Sequence, residues 1–145
     1  MKRIQLLLEA YDEKDIWDIV KYLSNNENIR MELLEDDITN LLIELGIASG
    51  LKGYPYLITA VELCINDRDM LNNVTKNLYP EIARIHCVNG VKVEHAIRHA
   101  IQKAWSNGES VIRKMVFGNT ISIGIKPTNA AFIAAIADYV ELRRI

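Results

Sequence analysis

Proline and glycine are scarce in this chain of 145 residues, at 3 and 7. That excludes a collagen-like chain or a Pro/Gly-rich disordered one. Cysteine is scarcer: Cys64 and Cys87 are too few for a disulfide framework and lack metal-ligand spacing. They read as reduced thiols of an intracellular, cytoplasmic protein. No apolar run approaches the roughly 18 residues needed to cross a bilayer, so no membrane partner is expected. The opening MKRIQLLLEAYDEKD holds a five-residue apolar stretch with Gln5 inside it and does not read as a signal peptide. Half the residues are hydrophobic and a quarter charged, which at this length suffices for one domain with a real core.

Charge is unevenly spread. Residues 1–37 hold 5 Lys+Arg and 10 Asp+Glu, net −5, whereas 38–145 hold 12 and 9, net +3. Within 78–126 there are 7 basic and 3 acidic residues and all three histidines. An acidic head on a locally basic body hints at a polyanionic partner, and chance variation of solvated surfaces accounts for it equally well.

The head reads as strand, helix, strand. Residues 4–9 form a strand-type apolar run. From Asp12 to Leu23, Ile16, Ile19, Val20 and Leu23 recur at i, i+3, i+4 and i+7 and stripe one helical face. A polar cluster at 24–28 ends that helix, and residues 29–34 can resume as a second, parallel strand. From Asp36 the pattern is helical. Asp37 or Thr39 can cap a helix carrying Ile38, Leu41, Leu42 and Leu45, which Gly46 stops. After the loop GIASGLKGY, helices are expected from Tyr54 to residue 66, from Leu78 to His86 with Pro80 in its first turn, and from Val91 to Trp105. A helical turn is expected near 70–74. A shorter helix spans 111–117, a mobile-looking loop follows, and Thr128 can cap a last helix to about Arg143. Asn89 and Gly90 suit positive φ in the turn at 87–90. The fold class is therefore mainly α, a helical bundle with a short N-terminal β-α-β unit.

Residues 78–106 are the informative stretch: a short helix, a turn containing Gly and a longer helix outline a helix-turn-helix. On the second helix Val93, Ile97, Ala100, Ile101, Ala104 and Trp105 form an apolar stripe. Lys92, His95, Arg98, His99 and Gln102 fall on the opposite side, where such donors reach guanine acceptors or phosphates in a major groove. Small Ala96, Ala100 and Ala104 permit close approach to a supporting helix. An ordinary solvated helix face shows the same periodicity, and pattern alone leaves the two readings open.

The runs ITNLLIELGI (38–47), KGYPYL (52–57), NNVTKNLYPEIA (72–83), VEHAIRHAIQKAW (93–105) and KPTNAAFIAAIAD (126–138) resemble the effector domain of the stage zero sporulation protein A family, response-regulator transcription factors of spore-forming bacteria. The resemblance implies an all-helical DNA-binding domain over 38–145 whose recognition helix enters the major groove of a TGTCGAA-like element. It places Glu94, Arg98 and His99 at recognition positions, with Lys92 and His95 beside them. Lys126 and Thr128 are weaker candidates for backbone contact, the latter at a helix N-terminus suited to a phosphate. Where the family usually carries arginine, this chain has Lys92 and His95. Neither offers the two parallel bonds of a guanidinium, so weaker or altered readout is expected.

Residues 1–37 are similar to the opening of a phosphoacceptor receiver. At the positions of its paired Mg²⁺-binding carboxylates stand Ala10 and Tyr11. The chain passes to the effector domain before the strand that would carry the acceptor aspartate. A truncated receiver follows, with activity independent of phosphorylation. Its strands are expected to pair with a second copy as a homodimer, or to be poorly ordered. Other chemistry is thin. HAIRH, with His95 and His99, lacks the Glu of a zinc-protease motif and has no third ligand. Cys87 beside His86 has no orienting acid. No enzyme, metal site or cofactor is expected. Partners are duplex DNA, a second copy, and RNA polymerase or a full-length paralogue. The alternative function is an interaction protein that modulates such a paralogue by mixed dimerisation without binding DNA.

Overall fold

The computed structural model describes residues 12–118 and 125–143, and among these no strand occurs. Seven α-helices follow in order: α1 (Glu13–Asn25), α2 (Glu27–Glu44), α3 (Gly53–Asn66), α4 (Tyr79–His86), α5 (Gly90–Ser106), α6 (Val111–Phe117) and α7 (Asn129–Leu142). Between α3 and α4 the chain makes a 3₁₀ turn (Arg68–Asn72) and a π turn (Val74–Leu78). No described helix is long and apolar enough to cross a membrane.

The centre of the bundle is α3, packed against α2, α4, α5 and α7. Its Leu57, Ala60, Val61 and Cys64 are fully enclosed. Phe132, Ile133 and Ile136 from α7 and Ile38 and Leu42 from α2 complete the core. Each such aliphatic side chain contributes about 1.5–3 kcal/mol by leaving water. Arg68 pins the 3₁₀ turn to α7 through Asp138 at 2.9 Å and Glu141 at 2.5 Å.

The head departs from expectation. Residues 29–34 are helical and belong to α2, not to a strand. Asn26 caps that helix, its Oδ1 accepting the Ile29 N–H at 3.2 Å. The apolar positions Met31, Leu34, Ile38, Leu41 and Leu45 keep helical spacing throughout, and the interleaved Glu and Asp residues disfavour a strand. The helix thus starts ten residues before Asp37, and Thr39 is buried within it rather than capping it. It runs through positions 37 and 38 without a break. The expected β-α-β unit therefore loses its second strand, and with it one half of the intermolecular sheet suggested for a dimer. The other expected strand, at 4–9, the Ala10–Tyr11 pair and most of the loop after Gly118 lie outside the described residues. The intervening helix α1 forms, with Ile19 and Val20 half-buried but Ile16 52% exposed.

Candidate nucleic-acid interface

Helix α5 divides along its length. Val93, Ile97, Ala100, Ile101 and Ala104 are buried, each at most 4% exposed, while Lys92, His95, Arg98, His99 and Gln102 are all exposed. Every side chain thus falls on the face its periodicity indicates. What holds the back is a close helix crossing. A Cβ at Gly53, at the start of α3, would collide with the Ala96 carbonyl oxygen and press on the Ala100 methyl at 3.0 Å. Small residues on α5 therefore meet a glycine on α3, and the two backbones nearly touch.

The ends of α5 are fixed separately. At its start Asn89 is extended (φ −98°, ψ 160°) and caps the helix, Oδ1 accepting the Lys92 N–H at 2.9 Å. Positive φ falls not at Asn89 or Gly90 but at Cys87, with φ 56°. There the chain turns out of α4 and the Val88 N–H donates to the Ala83 carbonyl at 3.0 Å, a helix-ending arrangement usually built on glycine. At its far end Trp105 lies edge-on to Phe117 and Phe132. The guanidinium of buried Arg113 sits 3.6 Å over the Trp105 ring.

Helix α4 is likewise held to α3. Thr59 Oγ1 and His86 Nε2 are 2.7 Å apart, and the Tyr56 ring meets the His86 imidazole edge-on at 5.0 Å. That contact occupies His86, and Cys87 beside it is exposed, so no nucleophile pair is assembled. Among the described residues no three His, Cys, Asp or Glu side chains are grouped to hold a metal ion.

The interface candidates from two distant parts of the chain converge. Asn129, the first residue of α7, donates one amide N–H to the Tyr79 hydroxyl and one to the Glu94 carbonyl, both at 3.2 Å. Both donors of the amide are used. The bridge sets the start of α7, with exposed Lys126 and Thr128 just before it, against the first turns of α5. Thr128 Oγ1 is itself committed to capping α7 through the Ala131 N–H at 3.1 Å. Burial raises the Tyr79 phenol above its ordinary pKa, partly offset by the Asn129 hydrogen bond, which keeps the bridge neutral. Glu94 organises the exposed face: its carboxylate lies 3.6 Å from Arg98 Nε and 3.3 Å from His95 Nε2. Both partners remain more than half exposed, so each pair is water-screened and weak and can be exchanged for another anion.

Exposed donors on a rigidly held helix, with a second helix start brought alongside, are the features that binding a polyanion calls for. Comparison with protein families agrees. The family described as sporulation initiation factor Spo0A, C terminal, matches residues 38–140, more than half of the chain. The chain belongs to that family. The Spo0A effector domain is a DNA-binding, transcription-regulating module of a sporulation response regulator and not a catalytic one. The matched residues cover α3 to α6, α2 from Ile38 onward and α7 as far as Val140. Three supports of the candidate interface escaped the sequence reading: Gly53, Tyr79 and Asn129. Gly53 had a usable signal in the small residues of α5, which call for a small partner. Tyr79 and Asn129 stand 50 positions apart and carry no local pattern that would pair them.

Proposed function

We propose that this chain is a sequence-specific DNA-binding transcriptional regulator in which α4, the turn at Cys87 and α5 act as a helix-turn-helix. Helix α5 enters the major groove of a TGTCGAA-like element. Arg98 and Glu94 read base edges with His99, Lys92 and His95 contact bases or phosphates, and Lys126 with the α7 start lies on the backbone. The observation that carries this reading is the division of α5: its back is sealed by α3 while its donor face is exposed. Activity is independent of phosphorylation on this reading, because α2 runs as helix through residues 29–34, where a receiver would place its second strand.

The test is a competition titration between a TGTCGAA-type duplex and a scrambled one across a salt series. Preference for the former, with affinity falling as a steep power of salt, is expected, since each displaced phosphate counterion adds about 0.9 to the slope. Equal and weak binding to both duplexes would sink the reading and favour the interaction-protein alternative. His95→Arg should tighten binding in the same assay, because a guanidinium restores a two-pronged donor.

A further inference from the structure

The apolar stripe of α2 does not end where the core ends. Leu34 is 8% exposed, but Met31, one turn earlier on the same face, is 61% exposed. Here α2 and the C-terminal half of α3 form an open groove with Met31 and Leu34 as its apolar floor and Glu27, Glu32, Glu35 and Glu62 around it. Among the described residues lining it none is basic. Burial and the neighbouring Glu35 carboxylate push Glu62 up to about 7, the mark of a carboxyl facing its own kind with no counter-charge. The carboxylates are not gathered tightly enough to hold a metal ion. A complementary ligand must bring apolar groups and a cationic side chain together.

The chain carries such a surface elsewhere. On α6, Val111 (77% exposed), Lys114 and Met115 (57% exposed) fall at i, i+3 and i+4, one outward face. Lys114 enters no ion pair among the described residues. Helix α6 borders the flank of α2 that carries Asp37, Asn40 and Glu44, whereas the groove opens on the other flank, nearer the helix start. One copy therefore cannot fill its own groove with its own α6.

We propose that the groove between α2 and α3 receives the Val111–Lys114–Met115 face of α6 from a second copy of this chain, head to tail. The methionines and Val111 cover one another's apolar surface, and Lys114 supplies the missing cation beside Glu35 and Glu62. Such a contact is heterologous, so it builds rings or short open chains rather than a closed two-fold pair. The groove draws most of its carboxylates from residues before position 38, outside the family-matched region, so it belongs to this chain and goes beyond the DNA reading.

Sedimentation velocity of the full chain over a concentration series, without DNA, tests it. The average mass of the wild type should rise with concentration, and Lys114→Glu or Glu35→Lys should each move the rise at least tenfold higher. The double variant carrying both, with the charges exchanged, should associate again. Circular dichroism melts confirm that each variant is folded. A wild type that stays monomeric, a Lys114→Glu chain that associates as the wild type does, or a double variant no better than the singles would each overturn the proposal.

Discussion

Helices α2 and α5 both carry an apolar stripe from end to end, yet only one of them is sealed. On α5 every stripe position from Val93 to Ala104 is buried, whereas on α2 burial begins only at Leu34 and Met31 stands in water. The faces opposite differ as well: that of α5 is rich in donors, and α2 is dense in carboxylates. Complete burial of one side makes a helix a rigid carrier for what the other side presents. Partial burial leaves apolar surface available for a partner. Periodicity alone does not separate the two cases, because the pattern ends where the sequence ends while burial ends where the neighbouring helix ends.

The sharpest way to break this contrast is the same kind of truncation on each helix. Ile97→Ala on α5 should cost about 3 kcal/mol through lost contacts and the cavity left behind. Met31→Ala on α2 should cost under about 0.5 kcal/mol in dilute solution. Chemical denaturation of both variants measures the difference, and equal losses would erase the distinction. Close behind comes Gly53→Ala, which adds one methyl against the Ala96 carbonyl and should destabilise by about 2–3 kcal/mol. That variant should also weaken DNA binding, because the support under α5 must shift.

A pH titration sharpens the acidic side. Folded chains keep a proton on Glu62 up to about 7, while the unfolded chain releases it near 4.5. The folded state thus binds more protons in that window, so Glu62 makes stability fall as pH rises from about 4.5 to 7. In Glu62→Gln that part of the decline should vanish, leaving the variant more stable than the wild type at pH 8 and similar at pH 4. Identical thermal-melt profiles for the two chains would show that Glu62 is well solvated. The smallest effect expected is at the turn. Cys87→Gly removes a left-handed residue's steric cost but loosens the unfolded chain, for a net gain of about 0.5 kcal/mol and a melting temperature about 1–2 °C higher.

The helical body was legible because its signals are local and repeated. Pro80 and Thr128 mark helix starts that the structure keeps, and the two faces of α5 follow from spacing alone. The head was misread because residues 29–34 are a short apolar run with two compatible periods. Resemblance to a receiver strand favoured the wrong one, while the Asn26 cap and the continuation into Ile38 went unweighed. In the turn, Asn89 was assigned a left-handed backbone from its residue type, but its side chain was taken by the α5 cap, which demands an extended backbone and passes the positive φ to Cys87. The candidate site was legible in its exposed residues and not in its supports, since the Asn129 bridge and the Gly53 crossing are contacts between distant segments.

The central claim is that the exposed face of α5 reads sequence. Fluorescence anisotropy on a TGTCGAA-type and a scrambled duplex, with Arg98→Ala and Lys92→Ala compared, tests it most directly. Arg98→Ala should lose about 1–3 kcal/mol, tenfold or more in affinity, on the specific duplex and far less on the scrambled one. Lys92→Ala should weaken both duplexes alike and lower the salt slope by about one. An Arg98→Ala chain that keeps the wild-type preference between the two duplexes would contradict the account.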